Sequence, residues 1–305
     1  MARFGAERRE VRVDGGTFAY LEAGEVGAQV ALCLHGFPDH PRTFEPIAGP
    51  LLEAGYRVVA PWLRGYRPSV AHGPYAPERL GRDAAELAGA LAGDGKVLLV
   101  GHDWGAIAGW YAAARFPERF AALVALSVPH PRAFLRNLPR HPKQWLRSGY
   151  VGFFQLPGLP ERLLAFQGFA SVDRLYRMSS VPRGRPLPYL ADLVATLRES
   201  GSGPFGPYRA LPQHRRASRR ELRIGVPTLF LAGARDPSVG PELARGQERE
   251  IDAVYEGHVF PGAGHFLHHD RPTEVAETIL RFVRAVNRQD EAPRSPGAST
   301  AGDRG

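Results

Sequence analysis

The stretch Lys96-Val97-Leu98-Leu99-Val100-Gly101-His102-Asp103-Trp104-Gly105-Ala106 decides the reading of this chain. Its apolar run is short and ends at a glycine, as expected of a strand buried on both faces. The residues from Ala106 to Phe116 read as the helix that follows. Strand, tight turn and helix, with glycine two places before and two after the tip, match the turn that lifts a serine nucleophile clear of the backbone. Here the tip is Asp103. The flanking glycines are expected to carry the turn at positive φ and to let strand and helix approach closely. A carboxylate at the tip lies at the positive end of the helix dipole. An aspartate nucleophile attacks carbon and forms an ester, which water must then cleave, so the chain must also supply a base.

Outward from the tip, the sequence alternates strands and helices. Val11-Arg12-Val13 and Phe18-Ala19-Tyr20-Leu21, joined through Asp14-Gly15-Gly16, read as a hairpin. Buried strands are expected at Val30–Leu34, Tyr56–Ala60 and Phe120–Ser127, with helices near Phe44–Ala54 and Pro77–Ala92. From Pro129 to Glu221 the pattern becomes helical and rich in Pro, Arg and aromatics. The alternation then resumes at Thr228–Ala232, continues through a helix and the strand Ala253–Phe260, and ends with a helix at Thr273–Asn287. The fold class is therefore α/β: a mostly parallel sheet flanked by helices, with an inserted helical cap. The core is assigned to residues 1–128 and 222–289, the cap to 129–221, and a disordered tail to 290–305, where periodic apolar residues are lacking. A cap in that place closes over the strand ends, where open α/β sheets bind ligands.

Composition narrows the function. The 305 residues are 44% apolar and 23% charged, ordinary for a globular protein able to bury a full core. The formal charge of +8 comes almost wholly from arginine, Lys96 and Lys143 being the only lysines. It reads as a bias spread along the chain, with no basic helix bearing interleaved aromatics, so no nucleic-acid partner is expected. The densest run, His214-Arg215-Arg216-Ala217-Ser218-Arg219-Arg220, reads as a surface linker. Cys33 is the only cysteine, which excludes an intrachain disulfide. No apolar segment follows the arginines of Met1–Glu10, and no stretch is long enough to span a bilayer, so a cytoplasmic protein without membrane insertion is expected.

The base and its support come from two strand ends. Asp236 follows the strand at Thr228–Ala232, and His265 sits in Gly262-Ala263-Gly264-His265-Phe266, after the next strand. Nucleophile, acid and histidine thus occur in an order known for this kind of turn. Asp236 is expected to hold the imidazole tautomer while His265 activates water. His35-Gly36-Phe37-Pro38 follows the strand at Val30–Leu34, placing the Phe37 amide beside that of Trp104 as an oxyanion hole. Neither Asp236 before proline nor His265 in a loop would mean much alone; each type is common in turns. His265, His268 and His269 do not have the spacing of a metal-ligand set and no carboxylate or cysteine pattern completes one, so no metal is expected.

With these residues in place the chain resembles the α/β-hydrolase-fold epoxide hydrolases, from Phe4 to about Val286. The matching segments are His35-Gly36-Phe37-Pro38, Ala54-Gly55-Tyr56-Arg57-Val58-Val59-Ala60-Pro61, Arg64-Gly65-Tyr66, Gly101-His102-Asp103-Trp104-Gly105-Ala106, Leu126-Ser127-Val128-Pro129 and Gly264-His265-Phe266. The resemblance implies two cap tyrosines that donate to the epoxide oxygen, Tyr150 and Tyr208, with Tyr176 and Tyr189 as substitutes if the alignment is shifted. It implies a small hydrophobic epoxide as substrate, no cofactor, and a monomer or homodimer. His35, Pro38, Trp62, Phe153 and Phe266 are expected around the substrate. Trp62 and Arg67-Pro68-Ser69 depart from the family pattern near the pocket mouth, which bears on substrate shape. The rival is haloalkane dehalogenase, which shares the aspartate and the following tryptophan but needs a second halide donor. Phe37 stands where that donor is commonly asparagine, leaving Trp145 of the cap for the role. A non-catalytic ligand-binding relative is the third reading.

Overall fold

The computed structural model describes residues 8–182, 186–214 and 222–291. Eight strands form one sheet: β1 (Arg8–Val13), β2 (Gly16–Ala23), β3 (Gln29–Leu34), β4 (Tyr56–Pro61), β5 (Val97–His102), β6 (Phe120–Leu126), β7 (Thr228–Gly233) and β8 (Tyr255–Phe260). Their order is β1-β2-β4-β3-β5-β6-β7-β8, antiparallel for β1–β2 and β2–β4 and parallel from β4 onward. The central strands are continuous apolar runs because helices cover both faces. Thus β5 and β7 are buried at every position, whereas edge strand β8 alternates between half-buried and exposed.

The helices of the first half are α1 (Glu45–Glu53), α2 (Pro77–Ala92) and α3 (Trp104–Arg115). Between β6 and β7 every α-element is helical: α4 (Pro131–Asn137), α5 (Pro142–Arg147), α6 (Gly149–Phe153), α7 (Leu159–Ala165), α8 (Ala170–Ser179), α9 (Leu190–Ser200) and α10 (Gly206–His214). The last described helices are α11 (Leu267–Asp270) and α12 (Pro272–Glu291). Helix α12 runs two residues into the stretch expected to lack structure, since Asn287-Arg288-Gln289-Asp290-Glu291 are polar residues that a helix tolerates. The remaining tail and the basic run after His214 lie outside the described residues.

One expected element is different. The connection from β7 to β8 holds no α-helix but two single 3₁₀ turns, Pro241–Ala244 and Gln247–Glu250. Pro237, Gly240, Pro241 and left-handed Gly246 punctuate the segment too often for a longer helix to propagate.

The strand order places β3 between β4 and β5, so successive connections leave β3 in opposite directions. That reversal opens a crevice at the C-terminal ends of β3 and β5, where ligands bind in such sheets. The crevice is narrow. A side chain at Gly105 would overlap the Leu34 carbonyl, and one at Gly36 would overlap Asp103. Replacing Gly105 by alanine is therefore expected to cost about 1–3 kcal/mol through overpacking. A lower urea midpoint with unchanged slope is the result to look for.

Candidate active site

Asp103 ends β5 and caps α3 at φ 53°, ψ −116°. The strained residue of the turn is thus the aspartate itself, whereas the flanking glycines take no positive φ and serve the close approach alone. A non-glycine residue held there costs on the order of 1–3 kcal/mol, sustained by the surrounding structure. Here the Asp103 carbonyl accepts from the Ala106 and Ile107 amides at 3.0 and 3.1 Å, and its own N–H donates to the Leu126 carbonyl at 3.3 Å. The side chain is almost wholly buried.

His265 is delivered by the loop after β8, with Nδ1 2.7 Å from Asp236 Oδ2 and Nε2 3.6 Å from Asp103 Oδ2. Asp236 is fixed in turn, because its other oxygen accepts from the Ser238 and Val239 amides at 2.7 and 3.0 Å. Burial by itself would push the His265 imidazole down. The Asp236 carboxylate and then Asp103 outweigh that effect and carry it up to about 10. The backbone of His265 is pinned as well: its N–H donates to the Ser179 carbonyl, and its carbonyl accepts from Ser127 Oγ and His102 Nε2.

The Phe37 amide donates to Asp103 Oδ1 at 2.8 Å. The Trp104 amide opens α3, where the first-turn N–H groups have no intrahelical acceptor. Above Asp103 lie Tyr150 of α6 and Tyr208 of α10, their rings 5.8 Å apart and edge-on. The Trp104 indole packs edge-on against the Tyr208 ring, 4.9 Å between centres. Burial first, then the Asp103 charge, push Tyr150 above the ordinary phenol range; burial does the same for Tyr208. Both stay protonated donors.

The expected lining is corrected in part. Phe154, immediately after α6, packs on Phe37, Phe205, Tyr150 and Tyr208, whereas the ring of Phe153 meets Phe154 alone among the described aromatics. Phe154 follows Tyr150 by one helical turn, a spacing that could have identified it. Phe205 was missed because it lies in a Gly-Pro-Phe-Gly turn without periodicity. His35 offers nothing to a ligand: its Nδ1 donates to the Gly36 carbonyl and its Nε2 accepts from the Leu63 amide. Pro38 is buried beside it. Trp62 belongs to the seam between sheet and insertion, donating to Thr196 of α9 at 3.2 Å with its ring against His40. Phe266 does adjoin His265, at 5.4 Å between ring centres. Tyr189 donates to Asp39 at 2.7 Å, and Tyr176 packs on Phe266 and His269, so neither substitutes for Tyr150 or Tyr208. Trp145 points outward from α5 and is 58% exposed.

Behind His265 lies a second polar cluster. Asp39, His102 and His268 are fully buried, with ligand atoms within 4.8 Å of one another, the only metal-type grouping among the described residues. It joins His268 to a carboxylate remote in sequence and leaves out His265 and His269. His102 Nε2 must be the donor to the His265 carbonyl, which turns its Nδ1 toward Asp39 Oδ2 at 3.8 Å. Burial and the neighbouring imidazoles hold His268 well below its ordinary range, hence neutral. Its Nε2 meets Thr43 Oγ1 at 2.8 Å.

A strand-end aspartate, an acid-backed histidine and an amide donor define a hydrolase of the α/β class. The alpha/beta hydrolase fold family model matches residues 30–272, and the chain belongs to that family. Within it the chain is similar to proteins named for epoxides. It is 31% identical to human "Epoxide hydrolase 4" over 92% of this chain and 79% of that one. It is 29% identical to the "AB hydrolase superfamily protein YfhM" of Bacillus subtilis, over 92% of this chain and 99% of the relative. The crystal structure of Epoxide Hydrolase A from Mycobacterium thermoresistibile superposes with a TM-score of 0.78 at 28% identity, covering 91% of this chain and 98% of that one.

The pair of carboxylates has a measurable signature. His265 in the folded protein should titrate near 10 by ¹⁵N NMR, and Asp236→Asn should lower that midpoint. Because the folded value lies above the ordinary 6.5, the stabilisation is complete below about pH 6.5 and is lost as pH rises through about 10. Urea midpoints measured across that window should fall in the wild type and fall less in His265→Gln.

Proposed function

We propose that the chain is an epoxide hydrolase whose nucleophile is Asp103, with residues 129–221 as a lid over the core formed by 1–128 and 222–289. The observation that carries this reading is the placement of one carboxylate between the Phe37 amide and His265, beneath the adjacent phenols of Tyr150 and Tyr208. Asp103 Oδ1 is engaged by Phe37, so Oδ2 is the attacking atom. It forms a bond to an epoxide carbon as the ring C–O bond breaks. The departing oxygen takes a proton from the tyrosine pair, whose phenolate is disfavoured by burial and is reprotonated, by way of water, with the proton that His265 gives up in the next step. The product of this step is a hydroxyalkyl ester.

Esterification removes the Asp103 charge, one of the two that hold the His265 proton. The imidazolium can then shed its proton and become the base, with Asp236 still fixing its orientation. It takes a proton from water as the oxygen adds to the ester carbonyl. The developing oxyanion is met by the Phe37 and Trp104 amides, and collapse frees Asp103 and a vicinal diol. The ring of Phe37, Phe154 and Phe205 suits a small apolar substrate. Dehalogenation is disfavoured because Trp145 faces solvent, which leaves Trp104 without the second halide donor expected from the cap.

Exposed to styrene oxide, His265→Gln should accumulate one covalent adduct in intact-mass spectra, and Asp103→Asn none. Tyr150→Phe and Tyr208→Phe should each lower kcat by about 100-fold. Turnover of haloalkanes with every epoxide left untouched would overturn the assignment, and saturable binding without any turnover would favour the non-catalytic reading.

A further inference from the structure

The positive charge of the chain is not evenly spread. Between Pro129 and Glu221 the sequence carries sixteen Arg and Lys against five Asp and Glu, a net +11, while the rest of the chain nets −3. The same insertion holds nine of the twelve large hydrophobic side chains exposed among the described residues. Four of them, Leu156, Leu159, Leu163 and Phe166, recur at helical spacing leading into and along α7, so they form a stripe that turns away from the protein. Leu175 and Met178, one turn apart on α8, add to it, and α8 packs directly on α7. The stripe is bordered by Arg162 and Arg174, both exposed and without an acidic partner among the described residues.

Beside the stripe a groove of about 460 Å³ is lined by Leu164, Phe169, Leu197 and Phe205 together with Glu161 and Arg198. The Phe205 ring, buried at the floor of the groove, lies 5.1 Å from that of Phe37, whose amide contacts Asp103. A single layer of phenylalanine thus separates the groove from Asp103.

We propose that the α7–α8 face docks on an anionic phospholipid surface, with the leucines in the acyl boundary and the arginines among the headgroups, so that apolar substrate passes from the bilayer into the groove. Charge selects this occupant over a second copy of the chain, since self-association through the face would bring together the exposed Arg162 and Arg174 of both copies, whose acidic neighbours Glu161 and Asp173 are already paired with Arg209 and Arg177. The geometry is that of an interfacial helix, apolar on one side with flanking arginines. The substrate half of the proposal rests on the epoxide reading; the docking half does not.

The test is co-sedimentation of the full chain with vesicles of phosphatidylcholine, with and without phosphatidylglycerol. The protein should partition at least about tenfold more strongly to the anionic vesicles and be released by roughly 0.5 M NaCl, where screening is nearly complete. Leu159→Glu/Leu163→Glu and, separately, Arg162→Glu/Arg174→Glu should abolish the partition. Turnover of a water-soluble epoxide by these variants should be unchanged, while turnover of a vesicle-dissolved one falls. Equal binding to both vesicle types, wild-type binding by both variants, or a dimer in sedimentation velocity that the leucine variant dissociates would overturn it. Vesicle binding by a protein that turns over no epoxide leaves docking intact and removes only the enzymatic reading.

Discussion

Two buried carboxylates facing one imidazole set the terms for the rest of the structure. A buried charge is tolerated only where it is paired and hydrogen-bonded. Asp236 meets that condition through two backbone amides and His265, and Asp103 through the Phe37 amide and the far nitrogen of the same ring. The three groups come from the ends of β5, β7 and β8, so a sheet with its strand ends aligned is what makes the pairing possible. Everything close by is then recruited to keep the imidazole from moving, including His102 and Ser127 on its carbonyl.

Much of this was legible in the sequence, for a physical reason. Continuous apolar runs, glycine at close approaches and acid or histidine just past a strand end are local signals, and each constrains its own few residues. The placement of Asp103, Asp236 and His265 beyond strand ends, the turn at Phe37 and α2 from Pro77 to Ala92 follow from such signals. What escaped depends on direction or distance. Spacing alone did not say that Trp145 turns outward while Gln144 beside it is buried and bonded to Ser238 and Gly240. The strained φ was expected at the glycines but falls on Asp103, because the glycines are needed for their lack of Cβ. Asp39 and His268 meet only in the fold, since their positions differ by more than two hundred residues.

The insertion is chemically two-sided. Its inner surface supplies tyrosines and phenylalanines to the site, together with Gln144, Thr196 and Ser200 bonded to the core. Its outer surface exposes leucine, methionine and arginine. A helical segment buried on one side needs only one apolar face, so the second reflects something other than folding.

The bond from the His265 amide to the Ser179 carbonyl, at the end of α8, carries a mechanical consequence. Around it, the Val181 amide donates to Asp270 and the Tyr189 hydroxyl to Asp39. This end of the insertion is riveted to the loop that bears His265. Lifting the whole insertion like a door would break the rivet and disturb His265 along with the roof. An opening confined to α5–α7 would leave it whole, and the chain already has a break suited to that division: Gln167, Gly168 and Phe169, three left-handed residues in succession between α7 and α8.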